Sequence, residues 1–344
     1  MNETTPVVDI RAMTPADYQY NMLIKRFASM PEPAFETEQQ LMTNWGRVWG
    51  CNNDVGRLRA VLMHAPGPEM EAVDPEKQIP ELSAFGDDTL GWYWAGRTVP
   101  SMQEYRAQHL QLVAALQAEG VEVFFMDPAE ANKTKQIYTR DSVIMLPGGA
   151  VVTRLGALVR RGEELTATRS LARLGIPILR TIHGTGILEG GSFAFINPKV
   201  AVIGLSSRCN EEGARQLEEV LSVHGIELIR VQIPGYRLHI DGAFVMVNTD
   251  VALVNPARIP FVFLERLAQL GIRTVEMTSD DPAWSINCLA IEPGRIFVSH
   301  LFSDRTTENL HRHGVVAKLV PFDKVCLGGG GIHCSTAPLI RDSQ

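Results

Sequence analysis

A cysteine follows a run of four glycines in the segment LGGGGIHCSTAPLIRD, with its thiol at Cys334. Glycine runs cost conformational entropy, so a folded chain keeps them where the backbone bends tightly or approaches another group closely. A thiol presented by such a turn is a candidate nucleophile. The alternative interpretation is a small buried side chain beside an ordinary loop, since free cysteines are usually buried and unreactive.

Other reactive side chains occur in short motifs of the central part of the chain. Asp141 ends the segment YTRD, Glu189 begins EGGS, and His239 and Asp241 lie in HID. A surface ion pair, a turn residue or a buried histidine would explain each of them singly. Together with Cys334 they supply a nucleophile, an acid/base and several carboxylates, and that combination indicates a catalytic site.

The combination also indicates a chemistry. Carboxylates around one point attract a cation, and without metal-ligand spacing the planar guanidinium group is the natural guest. A thiolate beside the guanidinium carbon can add to it, and the bound cation favours the thiolate. His239 would protonate the departing amine and then deprotonate water or a second amine, while Glu189 holds the imidazole. This scheme requires no metal and no cofactor.

The elements that position these residues follow from internal repetition. Five segments combine an amphipathic helix pattern, a glycine and a short strand pattern, and the glycines are Gly120, Gly175, Gly225, Gly271 and Gly314. Between them lie hairpin patterns, namely SVIMLPGGAVVTR, SFAFINPKVAVIG, AFVMVNTDVALVN and NCLAIEPGRIFVS. The segment VGRLRAVLMHAPG would supply the strands of the first unit in altered form. A ββαβ unit repeated five times predicts a closed radial α/β assembly, which the hairpins favour over a doubly wound sheet.

The repeat predicts that the reactive residues converge. The three motifs stand directly before hairpins, and Cys334 follows the last unit. Equivalent positions of a radial repeat lie around its central axis, so we expect one shared site. His239 and Asp241 are two residues apart, which would place both on one face of a strand.

Length and patterning indicate one catalytic domain. We expect a single α/β domain over residues 51–344 and an N-terminal extension over 1–50 packed on it. Residues 80–100 are a candidate lid, with Trp92, Tyr93 and Trp94, although plain aromatic packing explains them equally well.

Composition and charge indicate which binding partners and which cellular compartment to expect. The chain has 344 residues, 45% of them hydrophobic, and a net charge of −7 without a basic block, which argues against nucleic acid as a partner. Its short apolar runs exclude a membrane span, and its N-terminus lacks a signal-peptide core. Five scattered cysteines fit a reducing cytoplasm. A small guanidino molecule is the expected partner, and association into a homo-oligomer stays open.

These motifs resemble a known superfamily. The TRD, EGG, HxD and terminal GGG–HC elements, in this order over residues 56–342, resemble the guanidino-group-modifying enzymes. These include arginine deiminases, dimethylarginine dimethylaminohydrolases, agmatine deiminases and arginine:glycine amidinotransferases. The resemblance implies a five-bladed α/β propeller of ββαβ units around a pseudo-fivefold axis.

The resemblance also implies roles for the residues. Cys334 matches the nucleophile, His239 the general acid/base and Glu189 its carboxylate partner, while Asp141 and Asp241 match the pair that binds the guanidinium. Two arginines bind the substrate carboxylate in arginine deiminases. By spacing, Arg160 and Arg208 match them, with Arg161 as an alternative to Arg160. The other interpretation is that Arg160 and Arg161 lie at the solvent-exposed start of a helix, beside Glu163 and Glu164.

The motifs disagree on the subtype. Ser192 replaces the usual Asp after EGG, and EGGS with the GGGxIHC ending resembles agmatine deiminases, while HIDGAF and Ser285-Ile286-Asn287 resemble amidinotransferases. The first expectation is a hydrolase that converts arginine or a close derivative to a ureido product through a Cys S-amidino intermediate. The alternatives are an amidinotransferase, an agmatine deiminase-like hydrolase and a non-catalytic arginine-binding protein.

Overall fold

The computed structural model describes residues 10–28, 37–87, 91–95, 101–129 and 132–344. Met1–Thr37 and Glu38–Gln344 are two compact units. In the first, helix α1 (Pro15–Gln19) begins after Thr14, whose hydroxyl accepts a hydrogen bond from the backbone N–H of Asp17, and a π-helical turn over Tyr20–Arg26 follows. No helix of the described residues is long and apolar enough to cross a membrane.

The second unit contains the remaining elements. In chain order they are α2 (Glu38–Trp45), β1 (Leu58–Met63), β2 (Gln78–Ile79), β3 (Ala84–Asp87), β4 (Gly91–Ala95), α3 (Met102–Ala118), β5 (Glu122–Phe125), β6 (Val143–Leu146), β7 (Gly149–Val152), α4 (Glu163–Leu174), β8 (Ile178–Thr181), β9 (Phe193–Asn197), β10 (Val200–Leu205), α5 (Glu211–Val223), β11 (Glu227–Gln232), β12 (Phe244–Asn248), β13 (Val251–Val254), α6 (Phe261–Gln269), β14 (Arg273–Glu276), β15 (Leu289–Glu292), β16 (Arg295–Val298), α7 (Asp304–Arg312), β17 (Val316–Leu319), α8 (Asp323–Cys326) and β18 (Ala337–Arg341).

Four sheets are built from consecutive elements with one topology. Each has an antiparallel hairpin, then a helix, then a third strand parallel to the second strand of the hairpin. They comprise β6–β7–α4–β8, β9–β10–α5–β11, β12–β13–α6–β14 and β15–β16–α7–β17. The predicted hairpins are therefore confirmed.

A fifth sheet of the same topology joins distant parts of the chain. In place of a hairpin, β18 pairs antiparallel with β1, from Leu58 with Arg341 to Leu62 with Ala337. After α3, β5 runs parallel to β1. The expectation that VGRLRAVLMHAPG supplies the strands of the first unit was wrong in part. That segment supplies β1 alone, and the other hairpin strand comes from the segment after Cys334.

The helices end near the predicted glycines, and the central strands of the sheets are buried. The five glycines that were expected to terminate helices have positive φ values, from +66° at Gly225 to +77° at Gly120. A residue with a Cβ adopts this conformation only with strain. The central strands β7, β10 and β13 are buried along their whole length. Their continuous runs of Val, Ile, Leu and Ala suit strands that are covered on both faces.

A small additional sheet, β2–β3–β4, lies within the long segment that precedes α3. Trp94 of this sheet is buried and contacts Tyr105 of α3 edge to face, with ring centroids 5.6 Å apart. This contact is the aromatic packing that was one of the two expectations for residues 80–100. The side chains of Trp92 and Tyr93, and residues 88–90 and 96–100, lie outside the described part of the chain.

Candidate active site

The candidate residues occupy short turns at one recurring position, directly before the first strand of each hairpin. The turns span Thr139–Ser142 before β6, Gly190–Ser192 before β9 and Ile240–Gly242 before β12. Corresponding turns over residues 283–286 and 332–335 precede β15 and β18. His239 therefore stands directly before a 3-10 turn and Asp241 lies within it, so the expectation that both lie on a strand was wrong. Four of these turns contribute residues to one cavity, and the Gly190–Ser192 turn contributes through Glu189, which directly precedes it.

His239 and Glu189 form a hydrogen-bonded pair in the cavity. Nε2 of His239 lies 2.7 Å from Oε2 of Glu189, and Nδ1 lies 3.7 Å from Oδ1 of Asp141. Burial disfavours the imidazolium, but the Asp141 and Glu189 carboxylates outweigh it and raise the pKa of His239 to about 9. His239 is therefore protonated at neutral pH and can donate a proton to a leaving group.

Glu189 is completely buried and held on both oxygens. Its Oε1 accepts hydrogen bonds from the backbone N–H of Gly156, at 2.8 Å, and from Nη1 of Arg208, at 3.0 Å. Burial opposes ionisation of Glu189, yet the hydrogen bond and charge of His239 and the neighbouring arginines lower its pKa below the usual range. Glu189 thus stays charged and orients the imidazolium.

Asp141 faces His239 from the opposite side and is fixed by two donors. The backbone N–H of Gly191 donates to Oδ1 at 3.1 Å, and Nη1 of Arg160 donates to Oδ2 at 2.5 Å. Arg160 is buried and also pairs with Glu163, whose Oε2 lies 2.8 Å from Nη2. Arg160 is therefore a buried, doubly paired cation and not a solvated helix start.

Cys334 lies beside Asp241 and Asn287. Asn287 Nδ2 donates to Sγ of Cys334 at 3.1 Å and to Oδ2 of Asp241 at 3.3 Å, while Asn287 Oδ1 accepts from the Cys334 backbone N–H at 3.2 Å. The Cys334 thiol also lies 3.5 Å from Oδ2 of Asp241. Nδ1 of His333 lies 2.9 Å from the same Oδ2 atom of Asp241. Burial opposes the charge of Asp241, but His333 outweighs it and lowers its pKa.

The Cys334 thiol is neutral before a ligand binds. Burial raises its pKa well above the ordinary value, and the Asp241 and Asp141 carboxylates raise it further. Burial likewise raises the pKa of Cys51, Cys209, Cys288 and Cys326 to about 12, and all five thiols are free. Cys334 differs from the other four because it lines the cavity. A cation that neutralised the two carboxylates would favour its thiolate.

The glycine run allows the close packing that places Cys334. A Cβ on Gly328 would lie 2.4 Å from the Tyr138 hydroxyl, and one on Gly330 would lie 2.5 Å from the Tyr138 ring. A Cβ on Gly331 would lie 2.6 Å from Oδ1 of Asn287, and Gly329 has φ +101°. Each position therefore requires glycine, and the backbone approaches Tyr138 and Asn287 closely just before the thiol.

These residues line a cavity of about 430 Å³. Its apolar wall includes Val159, Leu238, Trp284 and Ile286. Every sequence-predicted site residue lines it, namely Cys334, His239, Glu189, Asp141, Asp241, Arg208 and Arg160. A charged group with an aliphatic tail fits a cavity of this polarity.

One group among the described residues has the spacing of metal ligands. The ligand atoms of Asp141, Glu189 and His239 lie within 4.8 Å of one another. The oxygens already accept hydrogen bonds, and the cations Arg160 and Arg208 lie beside them. These contacts favour a proton-transfer site over a metal centre.

Two residues that contact Cys334 or Asp241 were not predicted as site residues from the sequence. Asn287 had been noted only as part of the SIN motif, and His333 only as the neighbour of Cys334. The repeat contained a signal for Asn287, because it is the first residue of the segment NCLAIEPGRIFVS and stands just before the first strand of that hairpin, β15. No pattern in the sequence indicated that His333 would reach Asp241.

Comparisons with known proteins identify the family of this chain and proteins similar to it. The profile of the family described as N,N dimethylarginine dimethylhydrolase, eukaryotic, matches residues 96–341. An arginine deiminase of Oenococcus oeni is 25% identical over 414 aligned positions, which cover 85% of this chain and 97% of that protein.

Two solved structures share the fold. The DDAH of Pseudomonas aeruginosa, solved in complex with citrulline, is 20% identical with a TM-score of 0.65, covering 83% of this chain and 100% of that one. SxtG, an amidinotransferase of Microseira wollei, is 14% identical with a TM-score of 0.66, covering 86% of this chain and 98% of that one. At these identities the likeness establishes a common α/β fold.

Proposed function

Because the chain belongs to the N,N-dimethylarginine dimethylhydrolase family of guanidino-group-modifying enzymes, we propose that it hydrolyses the guanidino group of arginine or of a close arginine derivative. The products would be a ureido compound, such as citrulline, and ammonia or an amine. The observation that carries this proposal is the 2.7 Å contact of His239 with buried Glu189 in the cavity that Cys334 also lines.

In the first half-reaction the substrate guanidinium lies between Asp141 and Asp241. Its charge offsets the carboxylates that hold the Cys334 thiol neutral, so the thiol releases its proton to solvent and the thiolate forms as the substrate binds. Sγ adds to the guanidinium carbon to give a tetrahedral adduct. His239, protonated at neutral pH, gives its proton to the departing nitrogen, and the C–N bond breaks to leave a thiouronium on Cys334.

In the second half-reaction the now neutral His239 takes a proton from water. The hydroxide adds to the thiouronium carbon, and the C–S bond breaks as the C=O bond of the ureido product forms. The remaining hydroxyl proton passes through solvent to the departing sulfur and restores the neutral Cys334 thiol. Glu189 stabilises the imidazolium that forms again, as the third group of a triad does. The balance is one water consumed and one amine or ammonia released.

For the tail of the substrate, Arg208 is the better placed of the two predicted arginines. Arg160 is buried and already pairs with Asp141 and Glu163, whereas Arg208 pairs with Glu189 and keeps 18% of its side chain exposed. We therefore assign the substrate carboxylate to Arg208. In this assignment Arg160 chiefly holds Asp141 in place.

We also propose the finer architecture and the setting of the enzyme. The five sheets of equal topology support a propeller of five ββαβ blades around a pseudo-fivefold axis, formed by residues 51–344 as one catalytic domain. Residues 1–50 would be an extension. Five free cysteines support a cytoplasmic location.

An amidinotransferase is the runner-up. Asn287, from the motif that resembles amidinotransferases, contacts Sγ of Cys334 directly. In that reaction an amine, such as that of glycine, would replace water in the second half-reaction. An agmatine deiminase-like activity is a further alternative, because the EGGS motif resembles that of agmatine deiminases.

The deciding experiment is mass spectrometry of the products. The enzyme is incubated with arginine, methylated arginines and agmatine, each with and without glycine or other amines. A ureido product in water alone supports the hydrolase, whereas a new guanidino compound formed only with an amine supports the transferase. Cys334→Ser should abolish turnover and retain substrate binding, and Cys51→Ser is the matched control at a buried thiol outside this cavity. Turnover by Cys334→Ser near the native rate would exclude the covalent mechanism.

A further inference from the structure

The charges that line the cavity are divided by sign. The acidic lining residues are the three carboxylates of the reacting centre, Asp141, Glu189 and Asp241. All other charged side chains that line it in the described part of the chain are cations. Besides His239, Arg160 and Arg208, which the proposed mechanism uses, they are Lys135, Arg237 and Arg258. The three latter cations have no role in the mechanism above.

Arg237 and Arg258 lie on neighbouring segments at the exposed side of the cavity. Arg237 is exposed in the loop that leads to His239, and Arg258 is half-buried after β13, with Nη1 donating to the carbonyl of Gly242 at 3.1 Å. Burial lowers the pKa of Arg258, and the charge of Arg237 lowers it further. Two arginines that destabilise each other in one cavity gain from an anion between them.

Lys135 adds a buried cation to the wall formed by the glycine run. Its Nζ donates to the carbonyl of Gly328 at 2.5 Å. Burial and the charge of Arg160 lower its pKa well below the ordinary value. A ligand carboxylate nearby would raise the proton affinity of Lys135, while a ligand ammonium would lower it.

A ligand that places its guanidinium at the carboxylates therefore extends its tail among cations. An α-amino acid tail carries a carboxylate and an ammonium. The carboxylate would find partners in Arg208, Arg237 and Arg258. The ammonium would meet like charges, and no described acidic side chain lines the cavity outside the reacting centre to receive it.

We propose that the enzyme selects guanidino acids whose tail is anionic and lacks a free ammonium group. Arginine derivatives with an absent or acylated α-amine have this chemistry, and the apolar wall at Val159, Leu238 and Trp284 suits their methylene chain. The expected selectivity in turnover rests on the proposed hydrolase function. The expected selectivity in binding rests on the charges of the cavity alone.

Four guanidines of similar chain length test the inference by varying the two tail charges separately. δ-Guanidinovalerate carries only the carboxylate, arginine carries both groups, agmatine carries only the ammonium and butylguanidine carries neither. Nα-acetylarginine adds a masked amine. We expect kcat/KM for δ-guanidinovalerate to exceed that for arginine by about tenfold or more, and agmatine to be the poorest of the four, because like charges at this range repel strongly.

Substitutions connect the preference to the cations. Arg258→Met and Arg237→Met should each reduce the preference for δ-guanidinovalerate over arginine several-fold. Arg237→Glu should raise kcat/KM for agmatine, a gain that a merely damaged fold does not produce. Arg312→Met is the matched control, since Arg312 is exposed on α7 and pairs with Glu308, and it should leave all ratios unchanged.

Equilibrium binding to Cys334→Ser separates this inference from the proposed function. If δ-guanidinovalerate binds about tenfold more tightly than arginine but no guanidine yields a ureido product, the selectivity stands and the hydrolase fails. If ureido products form but arginine is preferred in both kcat/KM and binding, the hydrolase stands and the selectivity is overturned. If no guanidine binds or reacts, both are overturned.

Discussion

Replacing Asp241 with Asn should make Cys334 more reactive toward alkylating agents and less able to turn over a guanidine. Oδ2 of Asp241 lies 3.5 Å from Sγ, and its charge is one of the causes that hold the thiol neutral. The side chain of Asn has nearly the same shape but no charge. The two effects have opposite signs, so a general loss of structure cannot produce both.

The structure sets the size of the first effect. Two negative charges 3.5 Å apart repel by about 5 kcal/mol at an effective dielectric constant of ~20. His333 and Asn287 offset part of the Asp241 charge, so only a fraction of that energy is released. If a quarter of it is released, the thiolate population at fixed pH rises about tenfold. Turnover should fall about a hundredfold or more, because the guanidinium loses a charged partner in the transition state.

The assay follows iodoacetamide labelling of the intact protein by mass spectrometry at several pH values, alongside product formation. Cys334→Ser identifies the labelled site, and Asp250→Asn is the matched control, because Asp250 is an exposed carboxylate paired with Arg273. The native fold of the variant is checked by circular dichroism and thermal unfolding. Labelling of a folded Asp241→Asn variant at or below the native rate would refute the assigned control of the thiol.

Three further predictions address the rest of the site. Arg208→Ala should raise KM for arginine about tenfold and change KM for agmatine little, and equal effects would contradict its contact with the substrate carboxylate. In steady-state profiles kcat/KM should fall as pH rises through about 9, where His239 loses the proton that the leaving group needs. Glu189→Gln should move this fall to lower pH because the imidazolium loses its carboxylate partner, and an unmoved profile would contradict the pairing. Gly191→Ala would place a methyl group 2.7 Å from Nδ1 of His239 and should lower kcat about a hundredfold, whereas Gly242→Ala, whose methyl meets nothing within 4 Å, should retain activity.

Much of the fold was predictable because local signals agreed with the repeat. Turn residues separate the apolar runs of four hairpins, and Gly120, Gly175, Gly225, Gly271 and Gly314 end helices in a conformation that glycine adopts easily. Placing the motifs before equivalent hairpins then brought Asp141, Glu189 and His239 together without any knowledge of side-chain contacts.

The remainder depended on contacts between distant segments. The pairing of β18 with β1 has no local signature, since each strand looks like an isolated apolar run. The environment of Arg160 was equally hidden, because spacing alone does not distinguish a substrate-binding arginine from one that pairs with Asp141 and Glu163. Charge partners inside a buried network are fixed by tertiary packing.

The β1–β18 pairing links the timing of folding to the appearance of activity. Cys334 stands three residues before β18, and β18 pairs with a strand near the opposite end of the second compact unit. Contacts between such distant segments form slowly, because a long loop must close first. The His239–Glu189 pair requires only segments in the middle of the chain, so it can assemble earlier. During synthesis Cys334 therefore emerges after His239 and Glu189, and we expect its thiol to reach its place beside Asp241 only when β18 pairs with β1.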